Sequence, residues 1–305
     1  MMAQLERASG GVVPNASESL SHGRRASLAH AYPAAWRLIA GALVGLSRAS
    51  LPALALSVAS QLSEPYPLPT LLAALAAFSA LPGLAAWLLE RAFAANVEVR
   101  ERTLHIRGRN LRLEVPCTSI ERVEPWRLPL PGPGVSLRLR SGAVLRPGLE
   151  IPDLEPLLGA LAEAGGVASA REALRQPWVA YAHAKQRHPR GLFAHPLFKF
   201  PGFGLLPTGV LFNAHQHIAY GGSLGQYHLE GLGPYLQTFG EYWGTVCVYL
   251  LLYASVWRTL AEAAALLAAR AGPARAASAR RTLELACGVL YYLGVPALVL
   301  ARFLL

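Results

Sequence analysis

Residues 96–115, NVEVRERTLHIRGRNLRLEV, alternate apolar and charged side chains in a chain otherwise dominated by long apolar runs. A strand turns successive side chains to opposite faces, so this texture predicts strands with one buried face. The pattern continues in SIERVEPW (119–126) and VSLRLRSG (135–142). Gly108, PLPGPG (129–134) and Ser141-Gly142 supply the turns. IPDLEPLLGALAEAG (151–165) then reads as one amphipathic helix, with Asp153 as its N-cap and Gly165-Gly166 as its stop. Residues 94–166 thus predict a small antiparallel β domain closed by a C-terminal helix.

The sequence before this domain is of another kind. LIAGALVGLSRASLPALALSVASQL (38–62) and PLPTLLAALAAFSALPGLAAWLL (67–89) are each long enough for a bilayer, which takes about 20 apolar residues. Only SEPYP separates them, so residues 33–93 predict a transmembrane hairpin, with a kink at Pro82-Gly83. Residues 1–32 are small and polar and predict a disordered tail. The whole chain of 305 residues is 53% hydrophobic and only 15% charged. A soluble protein carries about 25% charged residues, so a polytopic α-helical membrane protein is expected.

After the β domain, residues 167–199 carry Arg171, Arg175, Lys185, Arg187, Arg190 and Lys199, and WVAYAHAKQRH mixes aromatics with cations. This reads as a basic interfacial linker. Residues 200–305 predict a second membrane domain with three spans. Phe200–Tyr220 is an imperfect span, broken by Pro201, Pro207 and glycines and carrying Asn213, His215 and His217. The runs beginning at Trp243 and at Leu285 are plain spans, separated by the basic loop RAGPARAASARR.

The net charge of +10 gathers at the edges of apolar segments, as in a membrane protein that marks its cytoplasmic side. It does not form a single basic face, so no nucleic-acid partner is expected. Arg24, Arg25 and Arg37 put the N-terminus inside, SEPYP has no cation, and residues 270–281 hold four arginines. For that loop also to lie inside, Phe200–Tyr220 must cross, which gives about five spans. The alternative is a re-entrant segment whose broken backbone is shielded by protein or faces a water cavity. Two lysines in an Ala-, Leu- and Arg-rich chain point to a bacterium, and hence to its inner membrane, with the β domain cytoplasmic.

Three sets of residues stand out. His215, His217 and His228, with Glu230 or Glu241, would suit a zinc or iron ion if the segment is extended. The competing reading is a polar belt with Tyr220, Tyr227, Tyr235 and Tyr242. Arg48 interrupts the first span, where a cation costs about 2.5–3.5 kcal/mol. Either Glu241, Glu262 or Glu284 pairs with it, or it snorkels to the interface, as Arg258 is expected to do. Arg107, Arg109 and Arg112, with Arg100 and Arg102, either line a partner or lipid site or are solvated outer-face residues. Cys117, Cys247 and Cys287 lie far apart and form no metal or disulfide pattern. No Gly-rich phosphate loop and no GxSxG motif is present, and no cofactor is expected.

A helix pair, then alternating strands, then a closing helix resembles the bacterial PH-like (pleckstrin-homology-like) membrane family. The resemblance covers about residues 35–166 and rests on VEVRERTLHIRGRNLRLEVPCTSIERVEPW, VSLRLRSG and LEIPDLEPLLGALAEAG. Ile120 and Val123 match the family's "I..V" strand, and IPD opens the helix. The proline-rich RLPLPGPG departs from the family's shorter glycine turn. The resemblance implies a domain that binds lipids, peptides or other proteins. The expected role is a membrane-anchored, non-enzymatic adaptor or assembly component, whose partners are membrane lipids and other membrane or cytoplasmic proteins. The alternative is an intramembrane enzyme or transporter built on residues 200–242.

Overall fold

The structure, a computed structural model, describes residues 27–60, 66–109, 111–187 and 195–304. Its organising feature is a curled antiparallel sheet of seven strands. The first strand, β1 (Ser27–Tyr32), precedes a helical hairpin, α1 (Ala34–Ser60) and α2 (Leu68–Ala92). Five strands follow: β2 (Ala94–Arg100), β3 (Thr103–Gly108), β4 (Arg112–Pro116), β5 (Ile120–Pro125) and β6 (Gly134–Leu139), and then β7 (Gly148–Glu150). They pair in the order β4-β3-β2-β1-β7-β6-β5.

Two expectations are corrected here. Residues 27–32 do not belong to a disordered tail: they form the central strand, with His30 opposite Ala94 on one side and Glu150 on the other. Their partners lie more than sixty positions away, so no local signal announces the strand. Residues 1–26 lie outside the described residues. The hairpin is therefore inserted within the sheet, between its first and second strands. Tyr32, fully buried, packs on Phe93 at 5.4 Å, and Trp36 on the same ring at 5.9 Å. This aromatic cluster ties both ends of the hairpin to one edge of the module.

The second correction concerns residues 167–187 of the expected linker 167–199: they are part of the module. α4 (Ala168–Leu174) and α5 (Pro177–Arg187) follow the expected closing helix, α3 (Glu155–Glu163). Val167, Ala170, Ala173 and Val179 join the module core, where they meet Val97, Leu104, Ile106 and Leu158. His188 and Arg190 lie outside the described residues. Alternation placed the core strands correctly: Val97, Val99, Leu104 and Ile106 are buried. Asp153 was expected as the N-cap, but that position is taken by Leu154 and carries no side-chain cap; Asp153, one residue earlier, accepts a hydrogen bond from the Glu155 N–H at 3.1 Å.

The remaining helices are α6 (Phe203–Tyr220), α7 (Gly225–Glu230), α8 (Leu232–Ala271), α9 (Ala276–Tyr292) and α10 (Gly294–Leu304). Among the described residues, four helical segments are long and apolar enough to cross a membrane: α1, α2, α8 and Pro273–Ala301, which takes in α9 and most of α10. α6 has 18 residues, but Asn213, His215, Gln216 and His217 lower its hydropathy, and it is not one of the four. Large apolar side chains face outward along these helices, among them Leu46 and Leu56 on α1, Phe78, Leu81 and Leu88 on α2, and Leu285 on α9. Exposed apolar surface of this extent fits a lipid surround rather than water.

Side-chain packing fixes how the helices run past one another. Ser47 and Ser79 each donate to the other's carbonyl, at 2.9 and 3.0 Å, and join α1 to α2. Val248 and Leu252 of α8 pack on Leu54, Val58 and Leu71 near the hairpin's far end. Ala265 and Ala269, at the other end of α8, pack on Tyr181 and Ala184 of α5. At 40 residues and ~1.5 Å each, α8 is about 60 Å long.

Candidate functional site

His215, His217 and His228 do not converge. Helix α6 separates residues two apart by about 200° around its axis, so His215 and His217 leave opposite sides. His215 stacks on Tyr242 at 5.3 Å, His217 Nδ1 meets the Asn213 carbonyl at 2.9 Å, and His228 lies against Tyr227. The expectation of a common ligand set assumed an extended segment. In its place lies a buried amide pair. Gln216 Nε2 donates to Gln226 Oε1 at 2.9 Å, and Gln226 Nε2 donates to Glu230 and Thr238 at 2.8 and 3.0 Å. These bonds fix α7 between α6 and α8. Nothing in the sequence marks the two glutamines.

Among the described residues, the group placed to hold a metal is Asp153, Glu155 and His183. His183 Nδ1 lies 2.6 Å from Glu155 Oε2 and 3.2 Å from both Asp153 oxygens. The same nitrogen serves both carboxylates, so the contact explains itself as a tie between α5 and the start of α3. Asp153 stands just before the helix start; His183, thirty residues on, was not legible as its partner.

The membrane helices carry a closed charge ring. Arg280 donates to Glu262 at 2.8 and 2.9 Å and lies 2.7 Å from Glu284. Arg258 contacts Glu284 at 2.6 Å and Glu262 at 3.0 Å. Lys185 stands 3.7 Å from Glu262, and the Tyr181 hydroxyl donates to the same carboxylate. Arg258 is therefore an ion-pair partner and not a snorkelling residue. Because Glu262 and Glu284 are engaged in this ring, they do not pair with Arg48. Glu241 accepts from Gln237 at 3.2 Å. Arg48 is exposed and makes no ion pair among the described residues.

The arginines of the alternating stretch do come together. Arg107 and Arg112 are cross-strand partners on β3 and β4, and Arg109 sits in the turn between them. All three are exposed, and none forms an ion pair among the described residues. β4 is an edge strand. Gly108 is opposite Ala95, three residues beyond the end of α2, so the cationic tip lies beside the hairpin's exit.

The sheet also buries a polar trio on its central strands. His30 Nδ1 lies 3.5 Å from Glu150 Oε2, and the Glu150 contact holds the imidazole above its ordinary value. Burial pushes the Tyr32 phenol up, so it stays neutral. Burial likewise raises the Cys117 thiol, which makes it an inert core residue.

A cavity of about 1150 Å³ lies between α1 and the module, lined by Arg37, Gly41 and Gly45 on one side and by Arg122, Trp126 and Leu128 on the other. Arg37 stacks over the Trp126 ring at 4.7 Å. Comparison with protein-family models, with curated proteins and with solved structures finds no match to the chain.

Proposed function

We propose that the chain is a non-enzymatic, membrane-anchored adaptor or assembly component of a bacterial inner membrane, and that its sheet module binds a protein partner from the cytoplasmic side. The observation that carries this reading is the tip formed by Arg107, Arg109 and Arg112. Like charges directly opposite each other on paired strands repel, and Arg107 and Arg112 stand in that relation without a compensating acid among the described residues. An acidic partner surface relieves that repulsion and finds an open strand edge beside it. The seven antiparallel strands and the α3 closure support a PH-like module, with the hairpin inserted rather than placed before it.

Five crossings are part of the proposal. α5 packs on the 265–269 end of α8, Phe203 on Val246 and Leu250, and Phe212 on Tyr235 and Phe239. α6 thus runs antiparallel to the 235–250 part of α8, while α5 stays with the sheet module. Such a course supports a crossing by α6 together with the helical turn Phe198–Gly202 that precedes it.

The test is in-cell cross-linking of the full chain, with bound proteins recovered under the wild type and under Arg107→Glu/Arg109→Glu. Charge reversal is expected to remove the recovered partner, while His215→Ala/His217→Ala leaves it in place. Equal recovery after reversal overturns the adaptor surface. Stoichiometric zinc or iron in the purified protein that disappears in the histidine variant would favour an enzyme or transporter instead.

A further inference from the structure

The groove beside α1 has two chemical natures. One wall is a single face of α1, on which Arg37, Leu38, Gly41, Ala42, Gly45 and Leu46 recur at helical spacing. The other includes the loop that follows β5, and this loop is the proline-rich RLPLPGPG stretch. At the module end stand three guanidiniums, Arg37, Arg122 and Arg127, against two carboxylates, Glu124 and Glu172. Glu124 already lies 4.0 Å from Arg122. Arg37 is held on the Trp126 ring, whose Nε1 donates to Ser136 at 3.0 Å, and neither Arg37 nor Arg127 has an ion-pair partner among the described residues. At the rim, Leu38, Leu46, Leu128 and Leu130 are exposed, and α1 there continues into the apolar run that is long enough to span a membrane.

We infer that this groove holds one anionic phospholipid, with its phosphate on Arg37 and Arg127 and an acyl chain along the Gly41–Gly45 face of α1. The volume of about 1150 Å³ exceeds the ~300–1,000 Å³ of ordinary small-ligand sites. A soluble phosphate compound would leave the leucine rim uncovered. A zwitterionic lipid brings a cationic group to a mouth where guanidiniums already outnumber carboxylates. The bound lipid joins the module to the first helix of the hairpin. The inference rests on α1 lying in lipid. It does not involve the cationic tip, since Arg107, Arg109 and Arg112 line no part of the groove.

The experiment is native mass spectrometry of the full chain, taken from nanodiscs of equal phosphatidylglycerol and phosphatidylcholine. Two variants are compared with the wild type, Arg37→Ala/Arg127→Ala and Gly45→Leu. A Cβ at Gly45 meets nothing within 4 Å, and leucine favours helix over glycine, so this variant fills the groove without unfolding α1. The wild type is expected to retain phosphatidylglycerol in preference. Each variant should lose about tenfold of that retention, the scale of a lost charge-assisted contact, with Gly45→Leu unfolding at the wild-type temperature. Arg107→Glu/Arg109→Glu should retain the lipid fully, which separates failure here from failure of the adaptor reading. Equal retention of the two lipids, undiminished retention in Gly45→Leu, or displacement by glycerol 3-phosphate alone would each overturn the inference.

Discussion

Arg280 and Glu262 meet across the α8–α9 interface through two parallel guanidinium–carboxylate hydrogen bonds of 2.8 and 2.9 Å, with the Arg280 side chain only 4% exposed. Glu284 and Arg258 complete the ring, so each acid touches two guanidiniums and each guanidinium two acids. Removing Arg280 leaves Glu262 with Arg258 and Lys185 and Glu284 with Arg258, so the cost is that of lost charge-assisted hydrogen bonds, about 1.5–3 kcal/mol. Arg280→Met should therefore lower the unfolding free energy of the detergent-solubilised protein by that amount. Denaturant titration followed by circular dichroism measures it, and a change below about 1 kcal/mol, the range of exposed pairs, would contradict a buried role.

Arg48 predicts the reverse. It is exposed on α1 with no ion-pair partner among the described residues, in a helix otherwise apolar enough to cross a membrane. A cation at mid-bilayer costs about 2.5–3.5 kcal/mol on insertion scales. Arg48→Leu should insert at least as well as the wild type and unfold no earlier. Reduced membrane integration, read by protease protection, would show that Arg48 is paired in the membrane.

The His30–Glu150 pair gives stability a pH dependence. The pair raises the folded-state pKa of His30 above the ordinary 6.5. Its contribution is thus complete below 6.5 and is lost as pH rises through the higher folded value. Glu90 is the other charged group acting on it, and the Tyr32 ring lies 6.0 Å from the imidazole. With the pair partly exposed, the amount is about 1 kcal/mol. Thermal unfolding in a pH series should show stability falling above 6.5 in the wild type and a flatter profile in His30→Gln.

The β2–β3 hairpin closes in two residues, with Arg100 opposite Thr103. Glu101 and Arg102 occupy that turn with φ of 48° and 63°. Positive φ at both central positions favours Asn-Gly, since a bulky side chain is strained there. Glu101→Asn/Arg102→Gly should stabilise the protein by about 0.5–1 kcal/mol, the usual scale of turn optimisation. A lower melting temperature would mean that these side chains contribute contacts beyond the turn.

These elements differ in how far the sequence displays them. Val97, Val99, Leu104 and Ile106 are legible because alternation is a local property and β2 and β3 pair with their neighbours in the chain. SLAHAY at 27–32 is not legible, because it pairs with β2 and β7 across the inserted hairpin and most of the module. The ring is half legible. Arg258–Glu262 and Arg280–Glu284 are both spaced i,i+4, but only the antiparallel return of α9 along α8 brings the two pairs together. The histidines misled because two residues of spacing mean one face in a strand and opposite faces in a helix. The cationic tip was visible as Arg107, Arg109 and Arg112. The groove was not, since Arg37 and Arg127 meet only after the module folds back on α1.

Topology decides between four crossings and five. Ser223 lies between α6 and α7, and Ser278 lies near the start of α9. α8 crosses between the two sites, so they lie on opposite sides in either case; a crossing by α6 puts Ser223 outside and Ser278 inside, and without it the two are reversed. The native thiols stay in place as an internal control: Cys117 is buried, and Cys247 and Cys287 are half-buried. Single substitutions Ser223→Cys and Ser278→Cys are treated in intact cells with a membrane-impermeant maleimide. Labelling is expected at 223, and at 278 only after the membrane is opened. Labelling of both from outside, or of neither, would mean that α8 itself does not cross between them. Labelling of 278 alone would mean that α6 does not cross and would leave four crossings, with α6 a re-entrant element and the sheet module still inside.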